Sequence, residues 1–258
     1  MTDRGTVVVG GREEWSPRVL PPVPELTPQQ QLACAYRILA RGGFVENIAG
    51  HITMRDPGGD GLWINPWGLW WEEITAGDLC RVDHDGHVLE GRWDVTPAFH
   101  IHTELHRRRG DDAAVVIHNH PYHVTVLAAL GLVPEMIHQT TAMFHGDLAF
   151  VDEYTGEVAT AELGAELAER IGDKSVVILA NHGVIITGSS VAEATYRAAT
   201  VDRQCRLMYD VVTSGRPYTV LPESFTVPMQ RSLIERGPDY FWGGAVRQLL
   251  KQEPEVLS

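Results

Sequence analysis

The segment VVILANHGVIITG, residues 176–188, decides the fold. Two apolar runs, VVILA (176–180) and VIITG (184–188), are separated only by Asn181-His182-Gly183. Short runs rich in Val and Ile and bounded by turn residues read as buried strands. A link of three residues is too short for a parallel crossover, so this pair is antiparallel. The same punctuation recurs upstream. HITMR (51–55) and LWIN (62–65) flank the turn PGGDG (57–61), and strands at 80–83 and 87–90 flank Asp85-Gly86. AAVVIHNHP (113–121) and residues 146–151 read as further strands. Helices are expected at QQQLACAYRILARGG (29–43), capped by Thr27-Pro28, and at 97–110, 123–131, 159–172 and 191–212. Helices interleaved with short-linked strands give an α/β fold whose sheet is mixed or antiparallel with helices on its faces, not a parallel doubly wound sheet.

The chain has 258 residues, of which 44% are hydrophobic and 21% charged, which are globular values. Its net charge of −13 would repel nucleic-acid phosphates, so no nucleic-acid partner is expected. No apolar run approaches the ~20 residues of a membrane span, and MTDRGTVVVGGREEW does not read as a secretory signal. Three cysteines without CxxC spacing fit reduced thiols, and a cytoplasmic location is expected. Residues 1–26, with Pro17, Pro21, Pro22 and Pro24, read as an arm that is disordered or lies on a neighbour. Residues 27–215 form the expected main domain. Residues 216–258 form a C-terminal extension, packed on its own or a neighbouring subunit, with one short helix near 229–236. GxGxxG, GKS/T, GxSxG and HExxH motifs do not occur.

Twelve histidines are unusual for this length. On a strand, residues i and i+2 share a face, so His118 and His120 project together from AAVVIHNHP while Asn119 points away. HxH alone also describes two exposed histidines, and a third ligand is needed. His182, at a strand end where a turn can aim it, is the best candidate. Three histidines with open positions suit catalytic Zn²⁺ or Mn²⁺, with Fe²⁺ also possible. A competing pair, His102 and His106, is spaced i, i+4 on one helix face, where it reads equally as a polar surface stripe before Arg107-Arg108-Arg109. His84 and His87 beside the Asp-Gly turn are expected in solvent.

HNHP after an apolar strand, followed some sixty residues later by NHG between two strands, resembles the class II aldolase/adducin family. NIAGHITMR (47–55), the run from Leu62 to Gly91, and HIHTELHRRRGDDAAVVIHNHP (100–121) extend the resemblance over roughly residues 27–215. It implies a three-layer α/β/α fold with a mostly antiparallel central sheet. It also implies one divalent ion on His118, His120 and His182, and a homotetramer with sites at subunit boundaries. Substrate-holding positions would fall at His51, Trp67, Gly68 and Thr96.

The departures from the family pattern bear on function. Where sugar-phosphate members hold phosphate with a T-G pair and an S-S pair, this chain has Trp67-Gly68 and Thr96-Pro97. Two hydroxyl donors are lost and Pro97 lacks an N–H. Trp63, Trp67, Trp70 and Trp71 crowd the same region, where they serve as core, interface or an aromatic substrate wall. The catalytic carboxylate of the family aligns near Ala98. His100 is the first choice to replace it, with Asp94 or Glu104 if the register shifts. The expected function is a metal-dependent carbon–carbon lyase, by aldol-type cleavage or decarboxylation, acting on a small oxo- or hydroxy-acid, possibly aromatic and not a sugar phosphate. The alternatives are a non-haem iron oxygenase of aromatic acids, as in aminocoumarin biosynthesis, and a non-catalytic adducin-like interaction module.

Overall fold

The computed structural model describes residues 6–9, 12–15, 19–152, 158 and 160–258. The N-terminal segment contains an antiparallel pair, β1 (Thr6–Val9) and β2 (Arg12–Trp15), which the sequence reading did not anticipate. The first helix, α1 (Pro28–Arg41), begins as expected. Thr27 Oγ1 accepts from the Gln30 N–H, the Gln30 side chain accepts from the Thr27 N–H, and Pro28 occupies the first turn.

Then follow β3 (His51–Arg55), β4 (Leu62–Ile64), β5 (Cys80–Val82), β6 (Val88–Glu90), α2 (His100–Arg109) and β7 (Val115–Asn119). The chain continues through α3 (Tyr122–Leu130), β8 (Leu148–Val151), α4 (Ala161–Ile171), β9 (Val176–Leu179), β10 (Val184–Gly188) and α5 (Val191–Thr213). The last helix is α6 (Glu223–Leu250).

Eight strands form one sheet in the order β6-β5-β4-β3-β7-β10-β9-β8. Every pairing is antiparallel except β8 with β9. The β9–β10 pair matches Val184 with Ile178 across the Asn-His-Gly link, as the opening segment requires.

Strand alternation sorts the core into two layers. On one face Ile52, Met54, Val115, Ile117, Ile178 and Ile186 pack with α1, α3 and α5 through Leu32, Leu39, Leu127, Ala194 and Val201. On the other face Val116, Val177 and Ile185 pack with α2 and α4 through Ile101, Leu105, Leu167, Ala168 and Ile171. The fold is therefore a three-layer α/β/α structure with a mostly antiparallel sheet. Parity also puts His51, Thr53 and His118 on the α2 face and Asn119 on the α1 face.

The C-terminal segment departs from expectation. In place of a short helix at 229–236, α6 runs through Pro228 and Pro238. Those prolines bracket the shorter helix, because each lacks the N–H that a helix interior uses. Packing outweighs them here: Val246, Leu249 and Val256 are buried against Ala33 and Cys34 of α1, and Phe241 and Trp242 join the core. The extension thus packs on its own chain. So does part of the arm, where Arg247 donates to the Pro21 carbonyl at 3.2 Å and Leu26 joins the α1–α6 cluster.

Candidate metal centre

His118 and His120 leave the end of β7, and His182 comes from the β9–β10 link. Their ligand atoms lie within 4.8 Å of one another, and the ring centroids stand 4.8–4.9 Å apart. The backbone is shaped for this approach. Asn181 sits at φ 52°, a left-handed conformation that Asn tolerates. A Cβ on Gly183 would stand 2.4 Å from the Asn119 carbonyl oxygen and 2.6 Å from His120 Cδ2, so only glycine lets the link close onto the histidines. Gly50, at φ 85°, makes the matching close approach from the β3 side, where an added Cβ would stand 2.5 Å from the Asn119 side chain.

The hydrogen bonds identify which nitrogens face the cluster. His118 Nδ1 donates to the Val184 carbonyl at 3.1 Å. His120 Nδ1 lies 2.5 Å from Glu46 Oε2, a carboxylate that only accepts. With both rings neutral, as metal ligation requires, both Nε2 atoms are lone pairs, and they face each other at 3.2 Å. Two acceptors without a proton between them repel, and a cation resolves that repulsion. The separation matches the edge, roughly 3.3 Å, of a tetrahedron with ~2.0–2.1 Å metal–nitrogen bonds. Carboxylate–histidine and carbonyl–histidine contacts of this kind orient ligating imidazoles in metal sites. Burial, the largest cause, pushes the His118 pKa well below its ordinary value and lowers His182 to about 4. Both rings are therefore neutral, as ligation requires. The three residues fit a divalent ion.

The cavity beside the cluster has a volume of about 230 Å³. Its lining includes His51, Trp67, Thr96, Ala98, Ile101, Leu167, Leu179 and Ile185. Among the described residues that line it there is no Lys or Arg. The structure therefore brings His51, Trp67 and Thr96 to the metal cluster, together with Ala98. Gly68 follows Trp67 at φ 89° but does not line the cavity. The tryptophans divide. Trp63 and Trp71 are core residues, with Trp71 edge-on to Tyr36, whereas Trp67 and Trp70 are 55% and 46% exposed.

His100 does not reach this pocket. Ala98, just before α2, and Ile101 in its first turn line the pocket, while His100 stacks on Phe99 and lines a separate cavity with Arg55, Glu104 and Arg107. The i, i+4 pair His102 and His106 is neither an exposed stripe nor a metal site. The two are 0% and 3% exposed and bond with His51 and Thr53 of β3. His84 and His87 are exposed as expected, and His87 pairs with Asp83 at 2.9 Å. Sequence reasoning missed Glu46, Thr53 and the burial of His102 and His106. The only sequence signal was parity: Thr53 shares a strand face with His51, which also carries His118 opposite.

The Class II Aldolase and Adducin N-terminal domain model matches residues 30–209. The chain is 32% identical to decarboxylase NovR of Streptomyces niveus over 74% of its length and 72% of the relative's. It is 33% identical to 4-hydroxy-3-prenylphenylpyruvate oxygenase/4-hydroxy-3-prenylbenzoate synthase of Streptomyces roseochromogenus subsp. oscitans, over 72% of this chain and 69% of that protein. The crystal structure of an aldolase II superfamily protein from Pseudomonas syringae superposes with a TM-score of 0.79 at 28% identity, covering 89% of this chain and 94% of that one. Two strands that present HNH and NHG to one point, within a domain matched over most of the chain, settle the assignment: this protein belongs to the class II aldolase and adducin family.

Proposed function

We propose that this protein is a metal-dependent carbon–carbon lyase that decarboxylates, or cleaves in aldol fashion, a small hydroxy- or oxo-acid, aromatic in preference to a sugar phosphate. The observation that carries the reading is the facing pair of Nε2 atoms of His118 and His120, joined by His182, in a mostly apolar cavity. Bound there, Zn²⁺ or Mn²⁺ would supply electrophilic stabilisation of the enolate that forms when the carbon–carbon bond breaks.

The chain's own residues set the substrate. Trp67, Ile101, Leu167, Leu179 and Ile185 give an apolar wall suited to a planar ring. Phosphate needs several donors or cations, and this wall offers none with a positive charge. The Thr96 hydroxyl accepts from the Ala98 N–H at 3.2 Å. Ala98 leaves no carboxylate to take the hydroxyl proton that aldol cleavage must remove, which favours decarboxylation, where the substrate carboxylate is already ionised and bond cleavage needs no base. The likeness to a decarboxylase supports the same choice.

A second reading, oxygenation of an aromatic oxo-acid by the iron-loaded protein, is favoured by the likeness to a protein named as such an oxygenase. The two separate cleanly. Zinc- or manganese-loaded protein, kept anaerobic with a panel of aromatic hydroxy- and oxo-acids, should release carbon dioxide or an aldehyde. Turnover only with iron and dioxygen, tracked by oxygen uptake, would replace the lyase reading. A homotetramer is proposed alongside. Trp67, Trp70 and Tyr122, 55%, 46% and 71% exposed, are large exposed aromatics of the kind a neighbouring subunit covers. Light scattering at the mass of a monomer would remove that part. Among the described residues no helix is long and apolar enough to cross a membrane.

A further inference from the structure

Four buried side chains form a hydrogen-bonded line from the metal pocket to the far end of α2. It begins at a backbone carbonyl, which gives it a direction. His106 Nδ1 lies 2.6 Å from the Ala113 carbonyl oxygen. That oxygen can only accept, so Nδ1 carries the proton and Nε2 of the neutral ring is bare. Thr53 Oγ1, 2.7 Å from His106 Nε2, must donate its single proton there. Toward His102 Nδ1, also at 2.7 Å, the same oxygen is then an acceptor, so His102 is protonated on Nδ1 and bare on Nε2. His51 Nδ1, 2.8 Å from His102 Nε2, completes the line by donating. His51 is left with an unprotonated Nε2.

The environment supports neutral rings throughout. His51, Thr53, His102 and His106 are 4%, 0%, 0% and 3% exposed. No carboxylate among the described residues pairs with these rings, and a buried imidazolium without a counter-charge is costly, so burial keeps all three neutral. His51 lines the cavity with its ring centroid 5.3 Å from that of His118, yet it stands outside the group of three whose ligand atoms converge.

We propose that the Ala113–His106–Thr53–His102 line fixes His51 as an obligate hydrogen-bond acceptor in the pocket wall, so that the site selects acids carrying a hydroxyl donor beside their metal-chelating oxygens. Thr53, His102 and His106 are positioning residues and His51 is the specificity-determining one. The fixed tautomer stands on the hydrogen bonds and the burial of the rings, while the ligand class rests on the lyase reading above. An acceptor that cannot turn donor rewards an O–H group and leaves a carboxylate or ether oxygen facing a lone pair. The cost of that mismatch is what a buried, unmatched polar contact exacts.

The test has two arms. In zinc-loaded protein labelled with nitrogen-15 histidine, long-range proton–nitrogen correlation spectra report each tautomer, with assignment by single histidine substitutions. His51, His102 and His106 should all appear as Nδ1–H tautomers. An Nε2–H tautomer at His51, or averaging between the two, overturns the proposal whatever the substrate is. The second arm compares binding of 2,3-dihydroxybenzoate and 3-fluoro-2-hydroxybenzoate by calorimetry, since fluorine nearly matches the hydroxyl in size but cannot donate. Wild type should prefer the dihydroxy acid about tenfold. Thr53→Ser should keep that preference, and Thr53→Val should reduce it to about twofold or less. Equal binding of both probes by wild type refutes the selection, and failure of both to bind refutes the aromatic-acid reading while the spectra still decide the tautomer. If Thr53→Val does not fold, the wild-type spectra and the wild-type preference remain decisive.

Discussion

Replacing Thr53 with valine is the perturbation whose cost is most directly set by the structure. The two side chains have nearly the same shape, and position 53 is fully buried, so packing changes little. What is lost is one oxygen with two bonds of 2.7 Å, to His102 Nδ1 and His106 Nε2. The buried His106 acceptor is left without a partner, and the buried His102 donor loses Thr53 and keeps only the Val116 carbonyl. A full loss costs about 1–3 kcal/mol and the partial one adds about 1, so the variant should be destabilised by about 2–4 kcal/mol. That is a large share of the ~5–15 kcal/mol typical of a folded domain. Thr53→Ser keeps the oxygen and removes a methyl group, which should cost only about 1 kcal/mol. Urea unfolding followed by tryptophan fluorescence, at one fixed protein concentration, measures both. A valine variant within about 1 kcal/mol of wild type, or a serine variant as damaged as the valine one, would refute the claim that the hydroxyl is held in a directional bonded line.

Other expectations concern the cluster itself. Glu46→Gln removes the charge that accepts from His120 Nδ1 at 2.5 Å, and metal affinity measured against a competing chelator should fall about 10–100-fold. Gly183→Ala drives a Cβ into the Asn119 carbonyl and the His120 ring, so zinc affinity should drop by at least about tenfold while the helical circular dichroism is kept. Acid should destabilise the metal-free protein in a predictable window. His51 and His106 are lowered by burial from 6.5 to about 3, so below about pH 6.5 the unfolded chain takes up protons that the folded chain refuses. Their contribution is full above that pH and is lost progressively toward about pH 3. Between about pH 7 and 5 each costs about 2 kcal/mol, and a protein that grew more stable on acidification would contradict this.

Much of the fold could be read because the relevant signals are local. Short Gly-containing links between apolar runs require antiparallel pairing, and the sheet from β6 to β9 pairs that way. The convergence of His118 and His120 follows from strand parity, and the aim of His182 from its turn. Other features depend on which layer covers a strand, and one sequence window does not contain that. His102 and His106 look like a polar helix stripe until β3 is known to present His51 and Thr53 to the same face of α2. Glu46 is 74 residues from His120 in sequence, so nothing local links them. His100 is titratable and close in sequence to the expected carboxylate position, but the first turn of α2 carries it into a different cavity. The length of α6 was hidden by Pro228 and Pro238, whose local cost is overcome by burial of Val246 and Leu249 against α1.

The central claim is that His118, His120 and His182 together hold one catalytic divalent ion. An anomalous difference map from zinc-loaded crystals, recorded at the metal absorption edge, tests it most directly. The account predicts one strong peak per chain, at ordinary bonding distance of about 2.0–2.3 Å from a ring nitrogen of each of the three histidines, with His51 outside the coordination shell. A peak bonded elsewhere, a peak that any one of the three fails to reach, or zinc-loaded crystals with no peak at the cluster would contradict it.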